Sequence, residues 1–326
     1  MSLKLKLAAL AAGLTLAPVA LAEELKFASF VPPFHTVTAS LIEPLAEGIS
    51  SGTDGSLTMR NYPGGELGAG PVEQYVRVVQ GAADFAWGLP GYTSSQFKKT
   101  MIVELPGAIP GDMMGYEALW NAYESHLTGE FPATVPVALW TSEPNVFIMK
   151  EKVVRSPADV QGLKLRVAGA TAGQVATAMG ATPVQMPISQ VYNALQTGLI
   201  DGVITGSSTL SDFKLDEVAA SVTQGAPLGR LSFYAVMSEA AYNGLSDSER
   251  AAVDAASGYE LSKSAEVAWN ATAEAALAAA AASGENTMVQ LTAAEAAAFT
   301  EVLADVLNAY VSDVGGAATM AAMNGD

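Results

Sequence analysis

Residues 24–29 (ELKFAS) alternate polar and apolar side chains, and this period of two predicts a strand. The loop Phe30–His35 (FVPPFH) ends it, and a helix is expected from about residue 36 to residue 50. Residues 56–62 (SLTMRNY) read as the next strand, and 64–70 (GGELGAG) as a loop. Over residues 71–80, Val72, Tyr75, Val76 and Val79 recur on one helical face. Residues 84–89 (DFAWGL) are apolar enough to be a buried strand. This β-α-β-α-β order argues for a mostly parallel sheet with covering helices.

Further along, residues 135–141 and 146–150 look like strands that cross between two domains. A short helix at 156–163 precedes a strand at 164–167. Helices are expected at 171–179 and 189–197, with a short strand between them, and a strand at 200–205. Residues 231–237 (LSFYAVM) form an apolar strand that returns to the first domain. Ser246-x-x-Glu249 is a capping box. It opens an alanine-rich run to about Ser283, stopped by Gly284. As one helix, that run would span on the order of 55 Å, enough to lie across two domains. Thr292-x-x-Glu295 caps a last helix to about Ser312, and residues 315–326 are expected to fray.

The first 22 residues read as a secretory leader. Lys4 and Lys6 supply a basic start, residues 7–16 a short apolar core, and Ala20-Leu21-Ala22 an A-x-A cleavage site. The core is too short to cross about 30 Å of hydrocarbon. The mature chain, from Glu23, is therefore expected to be exported and soluble. Its length, about 300 residues, suggests two domains.

The chain has no cysteine, which removes thiol catalysis, disulfides and cysteine-ligated metals. Its net charge is −17, and −19 once Lys4 and Lys6 leave with the leader. Such a surface repels nucleic acid and anionic lipid, so neither is expected as a partner. An anionic ligand must then be captured by a local cation against the overall field.

That makes Arg166 informative. It sits near the end of the strand at 164–167, where α/β proteins bind ligands. A guanidinium there can take a carboxylate through two parallel hydrogen bonds. Leu163, Leu165 and Val167 alternate with Lys164 and Arg166, so the arginine leaves the apolar face. The alternative is an arginine of the surface or of domain packing. Catalysis has weak support: there are two histidines, His35 and His126, and no G-x-S-x-G elbow. The 64–70 loop lacks the G-K-[ST] ending of a phosphate loop.

Three stretches together resemble the solute-binding proteins of TRAP (tripartite ATP-independent periplasmic) transporters. They are YPGGELGAG at 62–70 with GAADFAWGLPGYTSSQF at 81–97; Glu104-Leu-Pro106 with Ala118-Leu-Trp120; and 162–202, with LKLRV, GATPVQMP and VYNALQTGLIDG. The resemblance spans nearly the whole mature chain. It implies an α/β, two-domain periplasmic-binding-protein-like fold with crossing strands, a long domain-spanning helix and a hinged ligand cleft. The domains would be 23–143 with about 228–250, and 144–227. The helix would be 246–283, followed by a C-terminal strand, helix and tail at 284–326. A periplasmic receptor of this kind captures an organic acid and delivers it to a small and a large membrane subunit. Those subunits import it on an ion gradient without ATP hydrolysis. Most relatives act as monomers, so a monomer is expected, although the 292–312 helix suits a swapped dimer equally. A periplasmic sensing subunit would share the fold and the site.

The family's ligand arginine falls at Arg166. Trp87 and Tyr92 read as an aromatic wall or as core and loop packing; Phe30 and His35 share the first post-strand loop, and His35 can donate to a ligand oxygen or simply cap. Met186 and Phe233 complete the apolar candidates. Some relatives carry an asparagine after the Asp-Gly turn, where this chain has Thr205, with Ser207 and Ser208 beside it. A second arginine of some members is also missing, and Asn145 is the nearest polar residue. These departures disfavour dicarboxylates and sialic acid. They favour one carboxylate on an uncharged, partly apolar body: a hydroxy, cyclic or aromatic monocarboxylic acid. The Val203-Ile204 pair removes the polar groups that some relatives use to hold a metal, so neither metal nor cofactor is expected.

Overall fold

A computed structural model describes residues 23–326; the expected leader at 1–22 lies outside the described residues. The alternating start forms β1 (Glu23–Ala28), and a π turn (Thr38–Ile42) runs into α1 (Glu43–Gly52). Then come β2 (Leu57–Tyr62), α2 (Gln74–Val79), β3 (Phe85–Gly88), α3 (Gly115–Ala122) and β4 (Thr134–Thr141). The next stretch holds β5 (Asn145–Met149), β6 (Lys164–Val167), α4 (Ala170–Ala178), β7 (Thr182–Gln185), α5 (Val191–Thr197), β8 (Gly202–Gly206), α6 (Thr209–Asp212) and β9 (Ser221–Gln224). β10 (Ser232–Ser238), α7 (Glu239–Gly244), α8 (Asp247–Ala256) and α9 (Tyr259–Ser283) follow. The chain ends with β11 (Thr287–Gln290), α10 (Ala293–Leu303), α11 (Val306–Asp313) and α12 (Ala317–Met323).

The strands make two sheets. The first has the order β2-β1-β3-β10-β4, and the second β11-β9-β5-β8-β6-β7. β1 runs parallel to β2 and β3, and β10 runs antiparallel to β3 and β4. In the second sheet β6 is parallel to β7 and β8, while β5 is antiparallel to β8 and β9. The chain leaves the first sheet after Thr141 and returns at Ser232. The two connections are tied together: Ser142 N–H donates to the Leu231 carbonyl and Asn145 N–H to the Gly229 carbonyl, both at 2.8 Å. β4 and β5 thus lie in separate sheets, and the crossing is made by the short link 142–144.

The alanine-rich run is not one helix. It breaks at Ser257-Gly258, where Gly258 adopts φ +87° and ψ −141°, a conformation open to glycine alone. Its N–H donates to the Val137 carbonyl at 2.7 Å, which pins the start of α9 on β4. α9 is therefore about 37 Å long rather than 55. Its buried stripe is Leu261, Ala265, Trp269, Ala273, Ala276 and Ala280, spaced by three or four. Leu261, Ala265 and Trp269 pack into the core of the first sheet, with Phe27, Leu41, Phe85 and Trp140. Ala276 and Ala280 pack into that of the second, with Ile148, Leu195, Val203 and Val222. One helix thus joins both cores, and its alanines let the backbone approach each closely.

The last expected helix also divides, into α10 and α11. The C-terminal stretch does not fray: α12 packs against α3 with Met323 fully buried. Methionine and alanine there supply an apolar face that composition alone does not announce. Among the described residues, no helix is long and apolar enough to cross a membrane.

Candidate functional site

Four strands, two from each sheet, carry their C-terminal ends to one gap. β1 leads into Phe30 and His35; β3 carries Trp87 and leads into Leu89 and Tyr92. From the other side β6 carries Arg166, and β8 carries Thr205 and Gly206. Together with Ser142, Ile188, Ser208, Thr209, Asp212, Phe213, Leu231, Phe233 and Trp269 they line one cavity. This is where an open α/β sheet presents ligand.

Arg166 is buried, at 1% exposure. Its Nε donates to the Met186 carbonyl at 2.9 Å, and Nη2 to the Tyr92 hydroxyl at 3.4 Å. Nη1 is buried with no partner. Among the described residues, no Asp or Glu forms an ion pair with this guanidinium. Burial pulls its pKa below the ordinary value, and the Tyr92 hydroxyl opposes that pull. An unpaired buried cation costs several kcal/mol, so the cavity holds a strong demand for an anion. Thr205 Oγ1, one strand away, is also buried and unpartnered.

The walls around this polar end are aromatic. Phe30 stacks on Trp87 at 4.5 Å between ring centroids, and Phe233 lies 4.7 Å from Trp269. Trp87 and Trp269 are 6.1 Å apart. Trp87 is fixed by donation from its Nε1 to Ser29 Oγ at 3.1 Å. His35 accepts from Val37 N–H at Nδ1, and burial lowers its pKa to about 3, so the ring is neutral. Its Nε2 lies 3.6 Å from Asp212 Oδ2. Burial raises the pKa of Asp212 to about 6, against hydrogen bonding from Thr36.

The two sides meet across the gap. The Tyr92 hydroxyl also accepts from Ile188 N–H at 3.0 Å, Ala170 N–H donates to Ser94 Oγ at 3.2 Å, and Gln185 Nε2 to the Gly91 carbonyl at 3.2 Å. Gly91 and Gly169 touch backbone to backbone: a Cβ on Gly169 would lie 2.5 Å from the Gly91 Cα.

Of the residues singled out from the sequence, Phe30, His35, Trp87, Tyr92, Arg166, Thr205 and Phe233 line the cavity. Three others do not. Met186 contributes its carbonyl, which orients Arg166, rather than its side chain. Asn145 and Ser207 face a second cavity, beside Glu143 and Gln290. The reason is geometric. Alternation would put Ser207 on the face of Thr205, but the strand ends at Gly206 and the chain turns into α6. That turn brings Ser208 to the gap instead. Sequence reasoning missed Trp269, Phe213 and Asp212. Trp269 had a signal: it is the one bulky aromatic within an alanine stripe.

The description Bacterial extracellular solute-binding protein, family 7, matches residues 27–313. The chain spans 55% of the length of a curated solute-binding relative, at 25% identity over 190 residues. Three crystal structures are similar over nearly the whole fold. A TRAP solute-binding protein of Rhodoferax ferrireducens, with copurified benzoate, is 27% identical with TM-score 0.84, covering 92% of this chain and 96% of its own. One from Bordetella bronchiseptica, with bound (R)- and (S)-mandelate, is 29% identical with TM-score 0.83, covering 92% and 97%. A third, from a marine metagenome and specific for aromatic acid ligands, holds 3-hydroxybenzoate; it is 26% identical with TM-score 0.85, covering 93% and 97%.

Proposed function

The chain belongs to the bacterial extracellular solute-binding protein family 7, the receptors of TRAP transporters, and we propose that its ligand is an aromatic or cyclic monocarboxylate. The observation that carries this reading is Arg166: a buried guanidinium with one free N–H edge and, among the described residues, no acid paired with it, in a cavity walled by indole and phenyl rings. One carboxylate satisfies Nη1, with Thr205 Oγ1 available to a second oxygen. The aromatic walls take an apolar body, and among the described residues the lining holds no second cation for a second carboxylate. The relatives that hold benzoate, mandelate and 3-hydroxybenzoate are consistent with this chemistry.

In this reading the lobes 23–143 (with about 228–250) and 144–227 close on the acid as a hinge, and the contacts across the gap are those of the closed form. The exported receptor then hands the acid to a small and a large membrane subunit for uptake on an ion gradient.

The test is binding by the mature protein, refolded to strip bound ligand, against a panel of organic acids. Ligand that binds only the folded state raises the melting temperature by mass action. Monocarboxylates with a ring should give the large shifts. Arg166→Ala should abolish them, and Arg166→Lys, which keeps charge but loses the planar fork, should weaken affinity about tenfold or more. Shifts restricted to dicarboxylates, sugars or amines, or an Arg166→Ala protein that binds like the wild type, would overturn the reading.

A further inference from the structure

Arg166 is not the only unsatisfied polar group in the cavity. Asp212 is 7% exposed. Its Oδ1 accepts from Thr36 N–H at 3.3 Å, while Oδ2 is buried and has no hydrogen-bond partner. Arg166 does not pair with it, although both line the same cavity. Facing Oδ2 is His35. Because Val37 N–H occupies Nδ1, the proton of the neutral ring sits on Nε2. Nε2 stands 3.6 Å from Oδ2, too far for a hydrogen bond between them. A donor and an acceptor thus sit side by side on two residues of the cavity lining, neither using the other.

The surroundings restrict what satisfies both. The His35 ring lies 5.6 Å from Trp87, 5.2 Å from Phe213 and 5.4 Å from Trp269 between centroids. The polar pair is set in an aromatic wall. A second carboxylate brings only acceptors and meets the charge of Asp212. An ammonium brings only donors and meets the Nε2 proton. A hydroxyl is both: its oxygen accepts from Nε2–H while its proton goes to Oδ2.

We infer that this receptor selects a ring-bearing monocarboxylate that also carries a hydroxyl, with the carboxylate at Arg166 and the hydroxyl between His35 Nε2 and Asp212 Oδ2. The inference rests on the carboxylate reading above and adds a second recognition point to it. Hydrogen bonds to a charged acceptor contribute about tenfold or more to affinity, and a site built for a hydroxyl disfavours the analogue without one because its own groups are left unpaired.

Calorimetric titration of the stripped protein at pH 8 tests it, with benzoate, the three hydroxybenzoate isomers and the matching methoxybenzoates as probes. At least one hydroxy isomer should bind about tenfold or more tightly than benzoate. Its methoxy counterpart, which accepts but cannot donate, should lose that advantage. In Asp212→Asn, where an amide N–H can replace the acceptor, the ratio between that isomer and benzoate should shrink to within about threefold. The ligand series needs no variant, so a misfolded Asp212→Asn leaves the test intact. Equal affinities for benzoate and every hydroxy isomer, full retention of the advantage by the methoxy compound, or an unchanged ratio in Asp212→Asn would each overturn the inference. If benzoate still binds the wild type and is lost in Arg166→Ala, the carboxylate reading survives that failure. If Arg166→Ala binds benzoate like the wild type, both fall together.

Discussion

Glu143 is buried at the lining of the second cavity, with Oε1 accepting from Ser208 N–H at 2.6 Å and Oε2 unpartnered. Burial, opposed by hydrogen bonding from Ser208, raises its pKa from 4.5 to about 7. A raised carboxylate favours the folded state while it keeps its proton. That contribution is complete below about pH 4.5 and is lost as pH climbs through about 7. Asp212 acts in the same direction with a pKa of about 6. His35 acts in the opposite one: held neutral to about pH 3, it costs stability as pH falls below 6.5, where the unfolded ring takes up a proton. The separate effect of Glu143 is therefore read from a difference between proteins. Relative to the wild type, Glu143→Gln should gain on the order of 3 kcal/mol between pH 4.5 and pH 8. Urea unfolding across that range checks this, and parallel pH profiles would refute it. None of it was legible in the sequence, where an acid on a chain of net charge −17 reads as surface. Asp212 escaped notice for the same reason. Arg166 did not, because cations are scarce and strand alternation pointed it off the apolar face. Trp87 was legible as an aromatic near the end of a strand, and Phe30 as one just beyond a strand. Ser207 falls outside the cavity because strand parity fails where β8 turns into α6, whereas Asn145, chosen as the polar residue nearest a missing arginine, opens β5 and lines the second cavity.

At the scale of elements, α9 is held by polar groups within its apolar stripe. Glu266 is fully buried, and its carboxylate accepts from Gly115 N–H at 2.7 Å, Tyr116 N–H at 2.8 Å and Thr141 N–H at 2.9 Å. It satisfies orphan donors at the start of α3 and ties them to the end of β4, where the chain leaves the first sheet. Ser262 Oγ, one turn earlier, accepts from Trp120 Nε1 at 2.9 Å and Leu139 N–H at 3.0 Å. Glu266→Ala should destabilise the protein by about 3–5 kcal/mol, since three buried donors lose their acceptor together. Glu266→Gln, which keeps one accepting oxygen, should cost less. Denaturant midpoints decide it; a loss below about 1 kcal/mol for the alanine variant would mean that water replaces the carboxylate. The capping boxes at Ser246 and Thr292 were readable because each is a local pattern, and both form. The break at Gly258 was not, because a glycine inside an alanine run looks like a weak helix residue. The strand β9 was also missed: at four residues, its alternation is too short to register.

Over the whole molecule, two lobes meet where side chains are absent. Gly169 has φ −160° and ψ −172°, an extended conformation that any residue adopts. Alanine there introduces no backbone strain, yet its methyl group would strike Gly91. Gly169→Ala should therefore leave the empty protein's stability within about 0.5 kcal/mol, while holding the lobes apart and weakening ligand affinity about tenfold or more. Small-angle scattering should show the wild type compacting on saturation and this variant compacting less. Unimpaired binding by the variant would mean that the Gly91–Gly169 contact is incidental. The two-lobed architecture was legible from the order of strands and helices and from the family motifs. The contact itself was not, because its partners lie 78 residues apart in sequence.

Three of the four tryptophans, Trp87, Trp140 and Trp269, sit with their ring centroids 5.8–6.4 Å apart, and Trp87 and Trp269 form part of the cavity wall. The fourth, Trp120, is tethered to Ser262 outside that wall. Most of the tryptophan fluorescence is therefore expected to originate around the candidate cavity and to pass among closely spaced indoles before it is emitted. A molecule entering the cavity beside Trp87 and Trp269 would alter the polarity that sets their emission colour. If the acid binds where proposed, the receptor carries its own optical gauge of occupancy, with no label attached.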